Sequence, residues 1–219
     1  LGRYKKLLKE RNCALAQNYD QDVINVLRDE LINLSYRISN ERKKLVKVLS
    51  SKTENYYSLL FGQEPNNTLS LLYKTNCPLD DDQKSFVEHR RELYERSKSY
   101  ENIRHQTRIG PHRDDRTAIL RGKDVAHYGS QGENRLASLS VKLSVSSLYQ
   151  ERLKTLPILL LDDITSDLDE VRTKNLLTLI GEKDQQVFVT GTRVADGFQD
   201  YEIYQVADNR LTKEEKENG

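Results

Sequence analysis

Cysteine is almost missing from this chain. Its 219 residues include only Cys13 and Cys77, far apart and in neither a disulfide nor a metal-ligand spacing. That excludes a fold stapled by disulfides and makes a reducing, cytoplasmic setting the default. No stretch approaches the ~18 apolar residues of a membrane span, and no secretory signal is visible, so no membrane partner is expected. An excess of one charge is missing too. Lys and Arg number 35 against 34 Asp and Glu, leaving a net +1, so any basic surface must be local. An initiator Met is also absent. The sequence opens mid-helix on Leu1-Gly2-Arg3-Tyr4 and reads as part of something longer. Finally, no G-x-x-x-x-G-K-[ST] loop occurs, so nothing here cradles nucleotide phosphates in the usual way.

What is present is polar: charged residues make up 32 %, and 12 of the 16 aromatics are Tyr. Two periodicities divide the chain at about residue 106. Residues 1–106 have helical spacing. Leu7, Leu8 and Leu15 line a first helix ending near Asn18, and Asp20 can cap a longer one. In that second helix Ile24, Leu31, Ile38 and Leu45 fall seven apart, with Leu27, Leu34 and Val48 as companions and Glu41 breaking the set. Gly62 and Pro65 stop it. Asp80-Asp81-Asp82 can cap a third helix carrying Phe86, Leu93 and Tyr100. The spacing predicts a short antiparallel helical bundle.

Residues 107–219 have α/β character. The pattern predicts a strand Thr117–Leu120 closed by a turn at Gly122-Lys123, then a helix after Gly129-Ser130 carrying Leu136, Leu139, Leu143 and Leu148. A strand Ile158–Leu161, a helix Leu168–Ile180 and a strand Val187–Thr190 follow. A hairpin from Tyr201 to Leu211, turning at Asp208-Asn209, comes last. Strands alternating with helices imply a mainly parallel sheet.

Candidate chemistry sits at the ends of these elements. Four apolar residues run into Asp162-Asp163, as a buried parallel strand would deliver carboxylates to the ligand-binding edge of an open sheet. Asp162 is placed to hold Mg²⁺ through a water, and Asp163 to orient or deprotonate a water. Ser130-Gln131-Gly132-Glu133 opens a helix whose exposed N–H groups suit an anion, while Ser130 and Glu133 also form a capping box. Ser166, Asp167 and Asp169 lead into the next helix, where each could also act as an N-cap. Thr190 and Thr192 close the next strand on the same edge. Arg37, Arg42, Lys43, Lys44, Lys47 and Lys52 cluster on the long helix, a patch suited to salt-sensitive, sequence-independent contact with phosphates; a solvated helix face is the competing reading. Arg90-Arg91 with Arg96 forms a second, weaker patch, and His112-Arg113 could reach a ligand or serve a turn.

The order and spacing of these motifs resemble the second half of an ABC/SMC-type ATPase head: signature, Walker B, D-loop and switch strand. The stretches Leu8–Asn12, Gly110–Asp115, Gly129–Gly132, Leu139–Leu143 and Pro157–Asp163 are similar to the RecF family. The resemblance implies a helical lobe inserted in an ATPase head, with ATP and Mg²⁺ sandwiched in a homodimer. Ser130, Gln131, Gly132 and Glu133 would act in trans. It also implies binding to duplex DNA at gaps and work with RecR, RecO and RecA. Two positions depart from the pattern: Glu133 stands where Gln is expected, and Gly191 follows the switch Thr where transporters have His. Two alternatives stand beside this reading: a non-catalytic module that binds DNA or a partner and dimerises, and another SMC-like head such as RecN, which fits less well because the helical region is short.

Overall fold

The structure, a computed structural model, describes residues 1–62, 67–75, 82–163, 168–181, 184–192, 194, 198 and 201–214. The chain forms two compact units, Leu1–Ser51 with Ser70–Ile119, and Lys52–Leu69 with Leu120–Gly219. These limits differ from the change of periodicity at residue 106, because compactness and local pattern measure different things. Pro65 and Asp80-Asp81 lie outside the described residues.

In the first unit, α1 (Gly2–Ala16) and the long α2 (Gln21–Phe61) run antiparallel. Tyr4 and Leu7 pack on Leu31, while Ala14 and Leu15 pack on Ile24. Helix α3 (Gln83–Arg104) starts at the N-cap Asp82, whose carboxylate accepts from the Ser85 N–H at 2.9 Å. That bond is the first cause holding the Asp82 carboxyl below its ordinary range. Helix α3 lies antiparallel to α2: Tyr36 meets Phe86 edge-on, and Arg28 pairs with Glu95 at 2.6 Å. Ile32, Phe86, Tyr94 and Ile109 form the shared core. The seven-residue stripe of α2 is therefore buried at Ile24 and Leu31, but Leu45 and Val48 are exposed. It stops being a core seam where α1 and α3 no longer flank it.

A strand the sequence did not suggest, β1 (Leu69–Lys74), lies beside β2 (Asp115–Leu120). The Leu71 N–H donates to Ser50 Oγ at 2.8 Å. Charge is buried here as well. Arg11 Nη2 meets Glu101 Oε2 at 2.7 Å, with both side chains at most 5 % exposed, and Arg11 Nη1 donates to Thr107 Oγ1 at 2.7 Å. Glu101 Oε1 accepts the Arg108 N–H, so the carboxylate is satisfied on both oxygens. Arg90 is fully buried, its guanidinium over the Phe86 ring. The second basic patch is thus corrected: Arg90 is core, Arg91 pairs with Asp29, and Arg96 pairs with Glu92.

In the second unit, β2 ends in a turn at Arg121-Gly122, both at positive φ, one residue earlier than the sequence suggests. The short β3 (Lys123–Asp124) and α4 (Val125–Tyr128) follow, then α5 (Gln131–Leu153). Leu136, Leu139 and Leu143 are buried on α5, as their spacing predicts. Its Ser144 receives the Thr53 hydroxyl at 3.1 Å. Strands β4 (Leu159–Leu161) and β5 (Val187–Val189) pair in parallel, with Leu160 opposite Phe188, and α6 (Glu170–Gly181) lies between them in sequence. Leu176, Leu177 and Ile180 bury the inner face of α6. A hairpin, β6 (Tyr204–Ala207) and β7 (Arg210–Lys213), turns at Asp208-Asn209, both left-handed as a tight hairpin turn requires.

One expectation about β4 is corrected. Leu159 and Leu161 are buried, but Ile158, Leu160 and the facing Phe188 are more than half exposed. The strand carries the continuous apolar run of a doubly covered parallel sheet. Among the described residues only one face of it is covered.

Candidate functional site

The parallel register sets the centre of the site. Leu161 pairs with Val189, so Asp162-Asp163 and Thr190 leave the sheet side by side. The Thr190 N–H donates to the Leu161 carbonyl at 2.9 Å, extending the ladder by one bond. Beyond it the Thr190 side chain takes over. Its hydroxyl donates to Asp162 Oδ1 at 2.5 Å and accepts the Asp163 N–H at 3.0 Å. Asp163 has φ +51°, a left-handed conformation that turns the chain sharply after the strand. Both carboxylates are exposed.

The second group is the start of α5. Ser130 Oγ accepts the Glu133 N–H at 3.2 Å, and Glu133 Oε2 accepts the Ser130 N–H at 2.8 Å, the reciprocal capping box the sequence predicts. The Ser130 hydroxyl proton is not used in that pair. Gly132 has nothing within 4 Å of where a Cβ would stand, so the backbone there is open to approach. Gln131 is exposed.

Glu133 is bound from two sides. Its Oε1 forms an ion pair with Arg121, and its carboxyl is held below the ordinary range, first by the Ser130 N–H and then by Arg121. The carboxylate at the position where Gln is expected is thus neutralised and turned into the cap. Sequence reasoning missed Arg121. Its only trace there is a cation beside a Gly turn just ahead of the helix.

Other candidates separate cleanly. Asp169 caps α6, with Oδ1 accepting the Arg172 N–H at 2.9 Å and Oδ2 paired with the Arg172 guanidinium at 3.0 Å. Ser166 and Asp167 lie outside the described residues. Gly191 and Thr192 are exposed after β5. Among the described residues no cluster of three or more His, Cys, Asp or Glu could hold a metal by itself. Mg²⁺ is content with one or two carboxylates when phosphates and waters complete its shell, and Asp162-Asp163 fit that donor set.

On α2, Lys43, Lys44 and Lys47 are exposed, with Lys44 paired to Glu41 at 3.0 Å. Arg42 instead donates to the Pro111 carbonyl and is structural. Lys52 is drawn to Glu151. His112 also serves the fold. Its Nε2 faces the Thr107 carbonyl at 3.0 Å and so carries the proton, leaving Nδ1 to accept from the Tyr4 hydroxyl at 2.8 Å. Burial, the main cause, lowers the His112 pKa, which keeps this arrangement neutral. Asp114 accepts the Tyr73 hydroxyl at 2.5 Å. No helix among the described residues is long and apolar enough to cross a membrane.

No family model matches the chain. Among curated proteins it is 34 % identical to the DNA replication and repair protein RecF of Halalkalibacterium halodurans, over 97 % of this chain and 59 % of that protein. It is 36 % identical to that of Streptococcus pneumoniae strain P1031, over 88 % of this chain and 52 % of that protein. The Geobacillus kaustophilus RecF is 33 % identical over 97 % of this chain. The chain therefore spans just over half the length of the curated relatives it matches. Among solved structures, the recombination mediator protein RecF with ATP superposes with a TM-score of 0.77 at 25 % identity, covering 97 % of this chain and 57 % of that one. The ATPrS form gives a TM-score of 0.75 and shares the fold. By sequence and by fold together, this chain belongs to the RecF family.

Proposed function

We propose that this chain supplies the helical lobe and the signature, Walker B and switch elements of a RecF-type ATPase that acts on DNA in repair and replication. The observation that carries this reading is the sheet edge where Asp162, Asp163 and Thr190 emerge together. Asp162 would hold Mg²⁺, and Asp163 would orient the attacking water. Bound Mg²⁺ would offset charge on the transferred phosphoryl group. Ser130 and Gly132 offer a hydroxyl and open N–H groups to the terminal phosphate of a nucleotide held by a second copy, and the α5 dipole favours that anion. Glu133 does not repel it, because Arg121 and the cap absorb its charge.

The chain contains no phosphate-cradling G-x-x-x-x-G-K-[ST] loop, so it does not hydrolyse ATP alone. In this reading the exposed Leu160–Phe188 face is covered by part of the additional length that the relatives have. Lys43, Lys44 and Lys47 give duplex DNA a phosphate-contacting surface, the finer role being at gap junctions with RecR, RecO and RecA.

Two experiments test this. Joined to an upstream half bearing the missing loop, the chain should dimerise on ATP addition, and Asp163→Asn should prolong the dimer by slowing hydrolysis. If the joined protein neither binds nucleotide in equilibrium dialysis nor dimerises by light scattering, the ATPase reading ends. Lys43→Glu with Lys44→Glu should weaken duplex binding and flatten its dependence on salt, since each lost phosphate contact removes roughly 0.9 from the log–log slope. An unchanged slope would eliminate that surface.

A further inference from the structure

The Thr190 hydroxyl has one proton, and the structure shows where it goes. An ionised carboxylate can only accept, so the 2.5 Å contact to Asp162 Oδ1 consumes that proton. The Asp163 N–H at 3.0 Å occupies one lone pair of the same oxygen. A phosphate oxygen is also only an acceptor. While the link to Asp162 stands, Thr190 has no proton to offer it.

We infer that Thr190 is a positioning residue that fixes the Asp162 carboxylate and the Asp163 backbone. Contact with a terminal phosphate and orientation of Asp162 are then alternatives competing for one hydroxyl proton. In the linked state the Thr190 hydroxyl engages Asp162 Oδ1 and leaves Oδ2 outside that bond. It also holds the left-handed Asp163 in place through its amide. A phosphate that takes the proton releases Asp162 at the moment it arrives, so nucleotide occupancy and carboxylate freedom are linked through one atom. The functional consequence rests on the ATPase reading above, but the positioning itself does not.

Site-resolved amide hydrogen exchange on the 219-residue chain tests it without nucleotide. Thr190→Val removes the hydroxyl at nearly constant volume. The Asp163 amide should then exchange roughly five- to tenfold faster, as expected for one lost hydrogen bond. Thr190→Ser restores the hydroxyl and should return the Asp163 rate to within about twofold of the wild type, while the amides of β4 and β5 stay unchanged in both variants. Should the Val variant fail to fold, Thr190→Ala deletes the same hydroxyl with no added bulk and is read in the same way. An Asp163 rate unaltered by either deletion overturns the inference and leaves the ATPase reading standing. Conversely, failure of ATP-driven dimerisation would sink that reading while the exchange result stood.

Discussion

Both compact units leave apolar side chains in solvent, but they differ in what their interiors and sheet faces hold. The first hides even its charges: Arg11, Glu101 and Arg90 lie within it, each met by a carboxylate, an N–H, a hydroxyl or a ring. The second exposes some of its most apolar residues, with Ile158, Leu160 and Phe188 open on one face of a two-stranded parallel sheet. Buried ion pairs cost desolvation and contribute mainly a unique arrangement. Exposed strand apolars cost solubility and persist where another surface covers them. The difference lies in what each unit leaves to solvent: the first encloses a paired Arg11–Glu101 charge, and the second leaves one face of its β4–β5 sheet exposed among the described residues.

The sharpest way to break the comparison is Glu101→Ala. Leaving Arg11 buried and unpaired should destabilise the first unit by about 3–5 kcal/mol. Urea unfolding followed by exchange in α1 and α3 would measure it, and a loss below about 1 kcal/mol would mean the charge is solvated after all. Next, Leu159→Ala on the covered face of β4 should cost about 2–4 kcal/mol, whereas Leu160→Ala one residue on should change stability by less than about 0.5 kcal/mol. Equal costs at the two positions would show that the outer face is already packed. The smallest effect concerns Glu133. Its folded pKa lies below the unfolded one, so its contribution is complete above the unfolded carboxyl value near ~4.3 and is lost as pH falls through the folded value. The capping contribution is worth less than about 1 kcal/mol at this solvent-screened position. Glu133→Gln should flatten acid unfolding in that window, and an unaltered acid profile would show that the cap does not report on stability.

Much of this was legible in the chain. The capping box at Ser130-Glu133, the apolar spacing of α5, the hairpin turn at Asp208-Asn209 and the strand-end carboxylates each rest on local rules that span a few residues. What was not legible is long-range. Arg11 and Glu101 are 90 residues apart, and Tyr4 meets His112 across 108. A basic dipeptide such as Arg90-Arg91 gives no sign that one member is core and the other solvated. Strand β1 escaped because Leu-Ser-Leu-Leu-Tyr-Lys has no clean alternation, and its pairing to β2 is settled by tertiary contact. Thr190 was placed on the correct edge by the strand pattern. That its hydroxyl bridges two neighbouring Asp residues requires the parallel register, which spacing alone does not set.

The Arg121–Glu133 pair has a consequence for inheritance. The carboxylate of Glu133 is balanced by the Arg121 guanidinium, and that guanidinium finds its carboxylate in Glu133. The two positions should therefore change together across relatives: chains with Gln at 133 are free to vary at 121, and chains with Glu keep a base there. Twelve residues apart in sequence, they are joined by one ion pair, and an alignment in which they vary independently would overturn that expectation.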